Sequence, residues 1–211
     1  MGAKDWLLAY CETDPRAVLR DGPVLDHVAA RAAAERLLPR RRLTAIADGN
    51  LQDNANPDDD LIYVGAYRGL TLACTGVAAL DRPSRLPRSV LEALPAARVY
   101  LHAMHSVVDW FAYAVWIDGR LSRALSLSSD SGVMDDVGEA WPFEQPYWAG
   151  ERPVDPEGSD PDDDEPYPFP FHPLELAETA LQELLGFTYE GMPRPDDVDP
   201  EDVPLAGFKI A

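Results

Sequence analysis

Lysine is nearly absent from this chain of 211 residues, which contains only Lys4 and Lys209 against sixteen arginines. Schiff-base chemistry needs a lysine amine, so this scarcity disfavours it. Cysteine is equally scarce, and Cys11 and Cys74 both lie in apolar, strand-like runs. Cysteines in such runs are typically buried thiols. We therefore expect two free thiols, with a disulfide or a nucleophile as the less favoured alternatives.

Long apolar runs are missing as well. No stretch approaches the roughly 20 apolar residues that a membrane helix needs. The first ten residues, MGAKDWLLAY, lack the basic region and the long apolar segment of a signal peptide. We therefore expect a cytoplasmic protein that does not bind membranes. Abundant Ala, Arg, Pro and Asp, with few Asn and Ile, are typical of a GC-rich bacterial genome.

Several catalytic and cofactor motifs are also absent. The sequence has no Gly-x-Ser-x-Gly nucleophile elbow, no glycine-rich phosphate loop with Lys-Ser/Thr, and no Gly-x-Gly-x-x-Gly fingerprint. The loop from 48 to 60 is rich in Asp and Asn but does not match a calcium loop, because it lacks the Gly at the sixth position and the Glu at the twelfth. We expect no cofactor.

What the chain does have is an excess of acidic residues, and the whole of this excess lies in its second half. The net charge is −19. Residues 1–105 carry 13 basic and 13 acidic side chains, whereas residues 106–211 carry 5 basic and 24 acidic ones. Such a surface repels nucleic-acid phosphates and anionic membranes. It favours cations, a basic protein partner or solubility, so we expect no nucleic-acid partner.

The stretch from 98 to 128 is the most apolar and aromatic part of the chain, and it contains an Asp-Gly pair at 118–119. Asp-Gly between alternating runs predicts a hairpin with a type I′ turn. Pairing across this turn places Trp116 opposite Leu121, and counting by twos then places Arg123 on the face of Trp116. The strand before the turn is apolar on both faces and should be covered on both.

Turn and helix signals elsewhere complete the fold prediction. Asp14-Pro15 predicts a helix start, a second helix is expected over 24–38, and Pro173 opens the most amphipathic helix of the chain. Residues 61–67 and 70–77 read as a second hairpin, and 203–210 as an edge strand. We predict one α+β domain over 1–211. It has a single mixed, mostly antiparallel sheet of about six to eight strands and two or three packed helices.

The segment from 141 to 173 differs in character from the rest. It holds nine of the twenty prolines, and residues 155–165 include seven carboxylates. This composition prevents long regular structure. We predict a Pro-rich acidic arm that wraps the domain and is anchored by its aromatic side chains. Six of these aromatics are the candidate binding residues: Trp141, Phe143, Tyr147, Trp148, Tyr167 and Phe169.

The candidate catalytic residues are His102, His105 and Asp109. On a helix these three would fall within about 60° of one face and could suit a metal or a hydrolytic site. On a strand the two imidazoles would point to opposite faces, and the residue types favour a strand. We expect no metal site, with His102, His105 and His172 as weak candidates. His172 is more simply a helix cap.

A carboxylate pair, Glu139 and Glu144, flanks the aromatic residues at 141–143 and is reminiscent of glycosidases. Sequence spacing does not fix a separation of a few ångströms in space, so we do not favour this interpretation.

Six motifs together resemble one bacterial, actinomycete-type family known only as a domain of unknown function. They are MGAKDWLLAY, DRPSRLP, YLHAMHSVVDWFAYAVWIDGRLSRALS, GEAWPFEQPYWAGERPVD, YPFPFHPLELAE and EDVPLAGF. The resemblance covers nearly the whole chain. It implies a cytoplasmic single-domain protein, and it implies no activity, substrate or catalytic residue.

The sequence thus favours a non-catalytic binding or protein-interaction module, whose acidic half and aromatic arm meet a protein partner or a second copy of the chain. The alternative is a small metal-assisted or His/Asp hydrolase that uses His102, His105 and Asp109. A mimic of nucleic acid is a weaker third hypothesis, because the acidic cluster lies in a loop-like segment.

Overall fold

A single β-sheet of ten strands organises the protein in a computed structural model, which describes residues 3–154 and 167–211. The strands are β1 (Lys4–Cys11), β2 (Leu43–Ala45), β3 (Gly49–Asn50), β4 (Leu61–Tyr67), β5 (Leu70–Cys74), β6 (Arg98–His105), β7 (Trp110–Ile117), β8 (Arg120–Ser128), β9 (Gly132–Val137) and β10 (Pro204–Ile210). The acidic cluster predicted within the arm lies at 155–165, outside the described residues.

Six α-helices accompany the sheet in the described part of the chain. They are α1 (Pro15–Arg20), α2 (His27–Leu37), α3 (Leu51–Asn54), α4 (Arg88–Leu91), α5 (Gln145–Trp148) and α6 (Pro173–Leu184). This architecture confirms the predicted α+β fold, with more strands and more short helices than expected. None of the helices in the described part of the chain is long and apolar enough to cross a membrane.

The strand order is β2-β10-β4-β5-β1-β6-β7-β8-β9, with β3 paired to β10, and each of these pairings is antiparallel. The N-terminal strand β1 therefore lies in the middle, between β5 and β6. The C-terminal strand β10 is not the edge strand that the sequence predicted. It lies between β2 and β4, and its residues Leu205, Ala206 and Phe208 are buried.

The sheet is covered on both faces, so the chain has two apolar cores. Along β1, Leu7 and Cys11 belong to one core, while Leu8 and Tyr10 belong to the other. We call the first the α6 face, because α6 packs there on β6 and β7, and the second the α2 face, because α2 packs there on β4 and β10. Strand β7 is buried on both sides from 110 to 116, as its sequence predicted.

The central hairpin forms as predicted, but with a β-bulge that changes one face assignment. Asp118 and Gly119 have positive φ angles of 49° and 73°, as a type I′ turn requires. Trp116 pairs with Leu121, yet Val115 pairs with Arg123, so one extra residue of β8 lies between the two pairs. The bulge moves Arg123 from the predicted face of Trp116 to the α6 face.

Local capping signals set the helix starts. The Asp14 side chain accepts a hydrogen bond from the Arg16 amide, as the Asp-Pro signal predicted. The second helix begins at His27 rather than at 24, because the Asp26 carboxylate accepts from the amides of Val28 and Ala29, each at 2.9 Å. An N-cap of this kind typically stabilises a helix by about 1 kcal/mol relative to alanine.

Candidate functional site

His102 lies on β6 and points to the α6 face, where it is 1% exposed. Its Nδ1 lies 2.9 Å from one carboxylate oxygen of Asp5 and 3.1 Å from the other. Its Nε2 lies 3.1 Å from the carbonyl oxygen of Ala177, in the middle of α6. Because a carbonyl only accepts, Nε2 is the donor in this contact, and Nδ1 faces the carboxyl group of Asp5. The imidazole therefore joins the first strand to the last helix.

Cys74 lies in the same core, but it is not set up as a nucleophile. Burial, and then the nearby charge of Asp5, raise the pKa of the Cys74 thiol far above its usual range. Burial also raises the pKa of Cys11 to about 12. Both thiols are free and buried, as the sequence predicted. A thiol that stays protonated is a poor nucleophile and a poor metal ligand.

His105 is on the opposite face of β6, as the period of two predicted. It lines a hollow of about 360 Å³ on the α2 face, together with Trp6 and Trp110. Burial, and then the positive charge of Lys4, lower the pKa of His105 below its ordinary value. The imidazole is thus neutral near pH 7.

Asp109 occupies a third place, in the turn between β6 and β7, with a positive φ of 42°. Its carboxylate lies 3.5 Å from Nε2 of His172 and 3.5 Å from the hydroxyl of Tyr167. His172 is the N-cap of α6, as predicted, and its Nδ1 accepts from the Leu174 amide at 3.3 Å. With Nδ1 accepting, Nε2 carries the hydrogen that faces Asp109.

His102, His105 and Asp109 therefore do not share a site. Two lie on opposite faces of the sheet, and the third is paired with His172. Among residues 3–154 and 167–211, no cluster of three or more His, Cys, Asp or Glu side chains is arranged to hold a metal ion.

The aromatic residues of the arm mostly pack against the core. Tyr147 and Phe169 are buried in the α6 face, and Trp141, Phe143 and Tyr167 pack against it. Trp148 is 37% exposed and meets the Phe171 ring edge-on, with centroids 4.9 Å apart. The described parts of the arm, 141–154 and 167–173, thus contact the core through their aromatic side chains, and the binding role proposed for these side chains stays a prediction.

A buried ion pair between Arg123 and Glu144 was not identified from the sequence. Nε and Nη2 of Arg123 donate to the two carboxylate oxygens at 2.9 and 2.7 Å. The Tyr113 hydroxyl and the Trp141 amide also donate to Glu144, at 2.5 and 2.7 Å. Burial disfavours the guanidinium charge, but hydrogen bonds to Glu144 and Asp136 outweigh this effect and raise the pKa of Arg123. Glu144 is 0% exposed and its carboxylate already accepts the four hydrogen bonds named above, whereas Glu139 is exposed. The two therefore differ from a glycosidase pair, in which both carboxylates face the substrate.

A cleft of about 790 Å³ lies between α6 and the arm on the α6 face. Apolar side chains that line it are Ala3, Met104, Phe143 and Leu174, and carboxylates that line it are Glu175, Glu178, Glu183 and Glu190. Arg152 and Arg194 line it as well. The cleft combines an apolar lining with an excess of negative charge.

The fold thus defines an α+β protein with a single sheet that is covered on both faces. An ion pair joins the arm to this sheet. A family model described as "Family of unknown function (DUF6928)" matches residues 5–208, and the chain belongs to that family. No curated protein and no solved structure matches the chain.

Replacing Glu144 by Gln is expected to destabilise the protein by about 3 to 5 kcal/mol, because the buried Arg123 charge would lose its buried counter-ion and keep only the exposed carboxylate of Asp136. Urea denaturation followed by tryptophan fluorescence measures the change. The matched control is Glu139→Gln on the exposed surface, for which we expect less than about 0.5 kcal/mol. A loss below about 1 kcal/mol for Glu144→Gln would contradict the assigned role of this ion pair.

The His105 ring is expected to titrate below its ordinary pKa of about 6.5 in a proton NMR titration. The unfolded chain then protonates His105 at a higher pH than the folded protein does. His105 therefore reduces stability as the pH falls through its ordinary pKa. Lys4→Gln should move the midpoint upward, because it removes one cause of the shift. Lys209→Gln, the other lysine, is the control and should leave it unchanged. A midpoint at or above 6.5, or one insensitive to Lys4, would overturn this assignment.

Proposed function

We propose that this protein is a non-catalytic interaction module that binds a basic, partly apolar segment of a protein partner in the cleft between α6 and the arm. The observation that carries the proposal is the cleft itself. Its volume of about 790 Å³ falls in the range of small-ligand binding sites, which is enough space for a few side chains of a partner protein.

Charge supports a basic partner over an acidic one. Glu175 and Glu190 line the cleft, are exposed, and make no side-chain hydrogen bond or ion pair with the described residues. The other two carboxylates are engaged: Glu178 accepts from the amides of Tyr189 and Glu190, and Glu183 pairs with Arg194 at 2.7 Å. Two carboxylates without a partner among the described residues, beside apolar side chains, favour arginine or lysine carried on an apolar segment.

The walls of the cleft are held in place before any partner arrives. The Tyr147 hydroxyl lies 3.0 Å from the Glu175 carbonyl and 2.6 Å from the Thr179 hydroxyl, which ties the arm to α6. The ring of Tyr147 also packs edge-on against Phe171. A preformed site costs less conformational entropy on binding than one that must be ordered first.

The excess of acid in the second half of the chain adds a long-range contribution. A net charge of −19 repels nucleic acid and anionic membrane surfaces, and it speeds the encounter with basic proteins. We therefore propose a protein partner in the cytoplasm, and no nucleic acid. A hydrolase that uses His102, His105 and Asp109 is disfavoured, because these residues lie in three separate environments.

The test uses a short fluorescent peptide in which arginine and leucine alternate, and a matched peptide with neutral citrulline in place of arginine. Anisotropy titrations should show saturable binding of the arginine peptide and binding at least about tenfold weaker for the citrulline peptide. Raising the salt concentration from about 50 to about 300 mM should weaken binding of the arginine peptide, because screening shortens the range of the electrostatic attraction.

Two charge-matched double variants locate the site. Glu175→Lys with Glu190→Lys should weaken binding by about tenfold or more. Glu12→Lys with Asp59→Lys makes the same change in net charge at exposed positions outside the cleft and should have a much smaller effect. Equal losses in both variants, or no saturable binding, would contradict the proposal. A stable dimer in sedimentation, disrupted by the cleft variant, would instead identify a second copy as the occupant.

A further inference from the structure

The hollow on the α2 face lies at the ends of neighbouring strands, on the opposite face of the sheet from the cleft. Four neighbouring strands meet there in register: Lys4 pairs with His105, His105 with Trp110, and Trp110 with Ser128. The volume of about 360 Å³ is at the small end of ligand sites, so it suits a small molecule.

Aromatic rings form its walls. The rings of Trp6 and Trp110 have centroids 5.7 Å apart at an interplanar angle of 60°, and Trp6 and His105 have centroids 6.2 Å apart. The face of an indole attracts a cation through its quadrupole. This attraction already operates here, since the Lys4 ammonium lies 5.0 Å from the centroid of the Trp6 ring.

Two residues that line this hollow each carry a buried polar atom with no hydrogen-bond partner in the described part of the chain. These atoms are Nε1 of Trp110, a residue only 8% exposed, and Nδ1 of His105. Buried polar groups are nearly always paired in folded proteins, so an unpaired indole N–H indicates a missing acceptor. A ligand oxygen would supply this acceptor, or an ordered water would supply it when no ligand is bound.

Two carboxylates complete the lining. Asp81 and Asp130 come from separate loops, both are exposed, and neither side chain forms a hydrogen bond or ion pair with the residues that the structure describes. An anionic ligand would face both of them. A cationic ligand would be attracted by both carboxylates and by the indole faces, so the charges favour the cation.

We propose that this hollow binds a small organic cation, an ammonium group on a short body with an oxygen acceptor. The ammonium lies among Trp6, Trp110 and the two carboxylates, and the oxygen accepts from the Trp110 indole. This site is independent of the cleft on the α6 face. Lys4 competes with the ligand for the face of Trp6.

The test follows the indole N–H signals of the protein by NMR while choline is added. The control probe is 3,3-dimethyl-1-butanol, which has the shape of choline without its charge. Choline should shift the Trp6 and Trp110 signals in a saturable way, and the neutral alcohol should bind at least about tenfold more weakly. Acetate, as an anion, should not shift them. Equal binding of choline and the alcohol, or a saturable response to acetate, would overturn the proposal.

Variants sharpen this test. The double variant Asp81→Asn with Asp130→Asn should weaken choline binding about tenfold. The control variant Asp53→Asn with Asp196→Asn, at exposed positions elsewhere, should leave choline binding unchanged. Lys4→Gln should strengthen binding, because it removes the competing ammonium. Weaker binding in Lys4→Gln would contradict a cation site. The Trp141 and Trp148 indole signals report in the same spectra that each variant is folded.

Discussion

The carboxylate of Glu144 is the point on which the arm depends. It accepts from two nitrogens of Arg123, from the Tyr113 hydroxyl and from the Trp141 amide, all within 3.0 Å. A buried charge is costly unless it is paired and hydrogen-bonded, and here both conditions are met. The contacts join β7 and β8 to the first residues of the arm. The aromatics that follow can pack on the α6 face because this start is fixed.

A second polar contact fixes the other wall of the cleft. Asp5, His102 and the Ala177 carbonyl connect β1, β6 and α6 inside an otherwise apolar core. The arm and α6 are therefore each held to the sheet by a buried polar connection, and Tyr147 joins them to one another. The cleft between them is a consequence of these contacts. The hollow on the α2 face has a different origin, since it forms where four strand ends meet in register.

Local signals in the sequence predicted the local structure well. Asp118-Gly119 gave the central turn, Asp14-Pro15 and Pro173 gave helix starts, and the period of two separated His102 from His105. Non-local features could not be read in this way. The bulge in β8 shifts the register by a single residue, and it alone brings Arg123 to Glu144. Strand β10 pairs with β4 far away in sequence, for example Ala206 with Val64, so nothing near 204–210 marks it as interior. Arg123 in an apolar strand was the one signal for the buried ion pair.

Amide hydrogen exchange at Trp141 tests the central role of Glu144 most directly, because this amide donates to the buried carboxylate in a segment without regular structure. If Glu144 holds the arm to the sheet, the Trp141 amide exchanges only when the whole protein unfolds, as slowly as the Tyr113 amide in the centre of the sheet. Exchange of Trp141 at the rate of an exposed loop amide would contradict this role of Glu144, since the arm would then detach without unfolding of the sheet.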